Sequence, residues 1–108
     1  MHLNDNPMTN LNNVVWHPMH GNSMKPMICN GDQILLQEIK DWKDFLPKGE
    51  VYALQLANGI DTVKIVRKGS DDQHLKLVPV NTQDYDEDEI PVTAISRVFK
   101  VVATVNRF

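Results

Sequence analysis

Two short segments carry the residue types that nucleophilic catalysis needs. Gly21-Asn22-Ser23-Met24-Lys25-Pro26 sets a serine inside a turn, and Asp61-Thr62-Val63-Lys64-Ile65-Val66 sets a lysine inside a β-branched run. A serine hydroxyl is a poor nucleophile until a base takes its proton. A neutral lysine can do so, and burial favours neutral lysine because an ammonium is costly to take out of water. A turn between Gly21 and Pro26 exposes the hydroxyl and presents backbone N–H groups beside it, which a developing oxyanion requires. In an extended strand Lys64 shares a face with Thr62 and Val66, while Val63 and Ile65 point the other way. Plainer accounts exist for each segment. Gly, Asn, Ser and Pro dominate ordinary turns, and a lysine can pack its stem while its ammonium reaches water. Taken singly, the plainer accounts fit better.

Other chemistry is less well supplied. His17-Pro18-Met19-His20 places two histidines three apart, but Pro18 disfavours a helical metal pair and no Cys/His cluster completes a site, so no metal is expected. His74 remains an alternative base for a Ser–His–Asp arrangement, since such triads are spatial rather than sequential. The acidic run Asp84, Asp86, Asp88 and Glu89 fails as a calcium loop. Counted from Asp84, Glu89 stands where the glycine belongs and Ile95 where the glutamate belongs, so a solvated loop is the reading. Cys29 is read as filling a small apolar space, and Trp16 and Trp42 as core or edge anchors.

The elements that must position Ser23 and Lys64 read as short strands between turns. Residues 1–13 are polar and asparagine-rich, a flexible lead or linker remnant, and residues 14–108 form the domain. Val14-Val15-Trp16 is a first strand, Gly21 to Asp32 a turn-rich segment, and Gln33 to Glu38 a buried strand. Asp41 to Leu46 fits one helical turn. Val51 to Leu56 and Ile60 to Arg67 flank Ala57-Asn58-Gly59, which predicts a tight hairpin because asparagine and glycine tolerate positive φ. Leu75 to Val78 is a strand, Tyr85 to Pro91 an acidic loop, and Ile95 to Val105 a long final strand. The sum is a mostly-β fold with little helix.

Composition narrows the partners. At 108 residues the chain fits one small domain with a modest core. The net charge of −3 offers no basic face, so DNA, if it is a partner, is expected to be held by a separate domain. No stretch approaches the roughly 18 apolar residues of a membrane span, and the first residues do not read as a signal peptide. The single cysteine rules out an internal disulfide framework, and a cytoplasmic, reducing location is expected.

Taken in order, the segments resemble the S24 peptidase domain of LexA, phage repressors and UmuD-like proteins. The shared features are Gly21-Asn22-Ser23-Met24-Lys25-Pro26, Gly31-Asp32 before an apolar strand, Val63-Lys64 about forty residues later, Leu77-Val78-Pro79-Val80-Asn81, and the valine-rich stretch from Val98 to Val105. The resemblance runs from about Val15 to the C-terminus. It implies a bent β-sheet or β-ribbon domain that dimerises. It implies a Ser–Lys dyad with Ser23 attacking and Lys64 as base. It further implies an oxyanion hole of backbone N–H groups at Asn22 and Ser23, and a cleft lined by Met24, Pro26 and Val63. No cofactor is implied. Family members cleave their own linker when a RecA filament on single-stranded DNA stabilises the reactive form, which separates the dimerising part from a helix-turn-helix domain and removes its bivalent advantage on DNA.

Three functions follow as expectations. The first is a self-cleaving, dimerising regulatory domain of a LexA-like or phage-repressor-like transcriptional regulator. The second is a non-catalytic dimerisation and sensing module. It is kept because the only glycine before Ser23 is Gly21, preceded by His20, whereas the family cuts at Ala-Gly or Cys-Gly well upstream; cleavage of this polypeptide at the usual place is not expected. The third is processing of other proteins in the manner of signal peptidases, enzymes that share a related Ser–Lys core but normally carry a membrane anchor.

Overall fold

The run Val51-Tyr52-Ala53-Leu54 is apolar at every position, which demands a strand covered on both faces. The computed structural model describes residues 13–59 and 61–106 and provides this cover. The strands are β1 (Val14–Pro18), β2 (Gln33–Ile39), β3 (Glu50–Leu56), β4 (Asp61–Lys68), β5 (His74–Val78), β6 (Asp88–Pro91) and β7 (Ile95–Val105). They form one mostly-β sheet in the order β1-β2-β7-β3-β4-β5-β6, antiparallel at every join. The lead expected over residues 1–13 lies, save Asn13, outside the described residues.

Alternation along the strands divides the core in two. Tyr52 and Leu54 face one side with Val66, Leu75, Leu77, Ile95 and Val98, and the turn around residues 41–46 covers them with Trp42 and Leu46. That turn is a single one, closed by Asp44 and Phe45 N–H bonds to the Asp41 carbonyl. The buried Tyr52 hydroxyl donates to the Pro47 carbonyl at 2.7 Å, so its burial leaves no polar atom unpaired. Ala53 faces the other side with Ile34 and Leu36, and the segment between β1 and β2 covers them with Met19, Met24 and Ile28. Burying each of these long side chains stabilises the docked segment by roughly 1.5–3 kcal/mol.

Two elements differ from expectation. The β3–β4 hairpin forms, but its turn is not a two-residue one with both central residues at positive φ. Among the described residues of the turn only Gly59 is left-handed, at φ +88°, its N–H bonds the Leu56 carbonyl, and the Ala57 N–H bonds the Ala94 carbonyl. The expected acidic loop from Tyr85 to Pro91 is a loop only as far as Glu87. Asp88–Pro91 is an edge strand on β5. Asp and Glu are poor strand formers by themselves, but Ile90 packs on the first core and Glu89 binds the Ser70 N–H and hydroxyl. At the far edge, β1 exposes Trp16, 50% accessible.

Candidate active site

Ser23 is presented by the segment between β1 and β2, whose ends are pinned together. The Met19 N–H bonds the Asp32 carbonyl at 2.7 Å, and the Gly31 N–H bonds the Met19 carbonyl at 2.8 Å. Inside this loop a buried Asp32 carboxylate accepts the Cys29 N–H at 2.8 Å, and Asn30 Oδ1 accepts the Gly21 N–H at 2.8 Å. Gly21 and Gly31 take left-handed φ values of +87° and +93°, open to glycine without strain. The Lys25–Pro26 peptide is cis. Met24 on one side of the serine is wholly buried and anchors the turn to the sheet.

Lys64 comes from β4, and the register explains how it reaches the serine. It pairs with Tyr52 and so leaves the sheet on the face of the first core, whereas Met24 packs on the second. The β5 ladder begins only at Ile65, so among the described residues no strand pairs with the outer edge of β4 from Asp61 to Lys64. The Ser23 turn wraps across that open edge. Lys64 Nζ lies 3.2 Å from Ser23 Oγ and 2.7 Å from Thr62 Oγ1. Ser23 Oγ also faces the Val63 carbonyl at 3.5 Å, the long limit of a hydrogen bond.

The electrostatics suit proton transfer. Ser23 is 7% exposed and Lys64 is half-buried. Burial pushes the Lys64 ammonium below its usual pKa, opposed by the Asp88 carboxylate, which favours the charged form. A neutral amine at 3.2 Å can accept the serine proton. Among the described residues, the backbone N–H groups of Asn22 and Ser23 have no acceptor.

A cleft of about 300 Å³ lies beside the pair: Thr62 and Val63 line it, while Ser23 and Lys64 do not. One row of the sheet, Phe99, Ala53 and Val63, crosses its floor, with Ile34 and Leu36 beside it and His17 and His20 at its wall. Of the side chains expected to line a cleft, Val63 does so. Met24 lies in the core beneath, and Pro26 stands exposed on the turn.

The other candidates fall elsewhere. His74 binds Asp71 at 2.7 Å in an exposed pair at the far end of β5, with its pKa raised by that carboxylate. It is not a neighbour of Ser23. His17 and His20 sit edge to face at 5.9 Å, and among the described residues no three His, Cys, Asp or Glu side chains converge as a metal site. Cys29 is half-buried. Sequence reasoning gave no role to Thr62, although its spacing of two from Lys64 on a strand puts both on one face. The histidine wall of the cleft has no local signal, because the cleft is made by distant strands.

A family model described as Peptidase S24-like matches residues 1–105 of the 108. No curated protein matches the chain. No helix among the described residues is long and apolar enough to cross a membrane.

Proposed function

This chain belongs to the S24-like peptidase family, and from that premise we propose that residues 14–108 act as a Ser–Lys peptidase that cleaves the linker of its own regulator. The observation that carries this reading is the 3.2 Å approach of a half-buried lysine to a buried serine. Neutral Lys64 takes the proton as Ser23 Oγ attacks the scissile carbonyl. The Asn22 and Ser23 N–H groups hold the oxyanion, Lys64 returns the proton to the leaving amine, and water then hydrolyses the acyl-serine. Thr62 Oγ1, at 2.7 Å, steadies the amine between steps. The apolar floor of the adjoining cleft suits an extended peptide laid beside the pair.

The regulatory part of the proposal rests on charge and exposed surface. Trp16 and Val105 are half exposed and lie on one face of the sheet on β1 and β7, the two strands that flank β2, since Trp16 pairs with Leu35 and Leu35 with Ala103. Such a patch suits a second copy of the chain. With a net charge of −3, the domain would reach DNA through a separate domain and receive its signal from a RecA-like filament in the cytoplasm.

The deciding experiment supplies a linker peptide containing Ala-Gly to the parent, Ser23→Ala and Lys64→Ala across a range of alkaline pH. Cleavage by the parent should rise with pH, and both variants should be inactive. Cleavage by Lys64→Ala at the parent's rate would overturn the dyad. A stable dimer by light scattering with no cleavage by the parent would favour the non-catalytic sensing module.

A further inference from the structure

Asn81 follows β5, in the loop before β6, 81 − 22 = 59 positions from Asn22. It nonetheless holds the nucleophile turn at two points. Its backbone N–H donates to the Ser23 carbonyl at 2.9 Å, and its side-chain Nδ2 donates to the Asn22 carbonyl at 3.1 Å. Both Nδ2 hydrogens are used, since Nδ2 also donates to Asp84 Oδ2 at 3.3 Å, and Oδ1 accepts the Asp84 N–H at 3.4 Å. Turned over, the amide would set oxygen against the Asn22 carbonyl and the Asp84 carboxylate, so its orientation is fixed by its neighbours.

We propose that Asn81 is a positioning residue for the nucleophile, a two-point clamp that sets the direction of the peptide planes on either side of Ser23. In a planar trans peptide the C=O and N–H point opposite ways. Holding the Asn22 and Ser23 carbonyls toward Asn81 therefore turns the Ser23 and Met24 N–H groups away from it. The Ser23 N–H is one of the groups the proposed oxyanion hole needs. The clamp acts on direction rather than on charge, because the Asn81 amide is neutral and, among the described residues, makes no hydrogen bond to Lys64. Asp84 acts through Asn81 by holding its amide. The inference rests on the reading of Ser23 as nucleophile.

The test compares Asn81→Ala and Asn81→Asp with the parent and Ser23→Ala on the supplied linker peptide. Asn81→Asp keeps the side-chain shape but replaces the Nδ2 donor with an oxygen that repels the Asn22 carbonyl. Both variants should lower kcat on the order of ten- to a hundredfold. KM should stay in place in both variants, and the pH of half-maximal rate in Asn81→Ala, because the cleft and Lys64 are untouched; the new carboxylate of Asn81→Asp favours the Lys64 ammonium as Asp88 does and moves that variant's profile upward. A merely structural loss would instead lower the thermal midpoint without that split, and where Asn81→Ala does not fold at the assay temperature, Asn81→Asp is the deciding variant. An unchanged kcat in the folded variants overturns the clamp, as does a shifted pH profile in Asn81→Ala. If the parent cleaves no peptide that Ser23→Ala spares, the proposed activity fails and not the clamp. The clamp is then judged by amide exchange at Lys25, whose N–H bonds the same Asn22 carbonyl at 3.2 Å. Exchange there should quicken about tenfold or more in Asn81→Asp, and equal exchange overturns the inference.

Discussion

Thr62→Val separates two things that Thr62 does to Lys64. The Thr62 oxygen lies 2.7 Å from Nζ, closer than Ser23 Oγ at 3.2 Å. An acceptor so placed steadies the protonated amine more than the neutral one. A hydrogen bond to a charged group is worth about 1.5–3 kcal/mol and one between neutral groups about 0.5–1.5 kcal/mol. Valine keeps the shape and removes the acceptor, so the ammonium form loses about 1 kcal/mol more than the amine. At 1.36 kcal/mol per pH unit, the ascending limb of the rate profile should move to lower pH by about 0.7 unit, and by somewhat less if water replaces the hydroxyl at this half-buried site. The plateau should meanwhile fall on the order of tenfold, because the amine is no longer held on line with the serine. Initial rates of linker-peptide cleavage from about pH 7 to about pH 11 resolve both effects. A limb that stays in place or moves upward refutes this account of Thr62.

Lys64→Met should abolish cleavage and stabilise the fold at neutral pH. Burial lowers the Lys64 pKa in the folded chain, so the unfolded chain binds more protons, and parental stability should rise with pH between the folded value and the ordinary lysine value. Thermal midpoints of the variant should lack that rise. Met24→Ala removes a wholly buried side chain next to Ser23 and should cost about 2–5 kcal/mol by denaturant unfolding, with peptide cleavage falling as the turn loosens. Glu38 is held down to about 2 from 4.5, first by its hydrogen bond from Arg97 and then by Lys40. Its stabilising contribution is complete above about 4.5 and fades as pH falls toward about 2. In Glu38→Gln the thermal midpoint should lose that part of its acid dependence, and an unaltered midpoint–pH curve would show the ion pair to be inert.

The strands were legible where burial imposed a pattern. The all-apolar stretch at Val51 to Leu54 announces a strand between two covered faces, whereas the final strand is legible by its β-branched residues, its second half being exposed. β6 was not legible, because Asp88 and Glu89 read as solvent-seeking. What makes them a strand is the free edge of β5 and the anchoring of Ile90, both tertiary facts. Of the site, Ser23 and Lys64 stood out by residue type and surroundings, and the structure brings them within 3.2 Å. The two-fold period of a strand already put Thr62 beside Lys64, although nothing local marked its hydroxyl as a partner. Asn81 stood in a conspicuous Leu-Val-Pro-Val-Asn run, yet what it touches depends on a loop some sixty residues earlier and is invisible to any local rule. The cleft wall of His17 and His20 is hidden for the same reason.

The place of β7 in the sheet has a bearing on when the site can exist at all. Ser23 sits between β1 and β2, and Lys64 lies on β4. In the strand order these two groups are joined only through β7, which pairs with β2 on one side and β3 on the other. β7 is the last of the seven strands to leave a ribosome. A nascent chain that already carries both reactive side chains therefore lacks the piece that brings them into register, and pairings at such long sequence separation form slowly. Synthesis itself thus imposes a latency. Ser23 and Lys64 stay strangers until translation has passed β7, so any cleavage the proposed pair performs is confined to the finished domain.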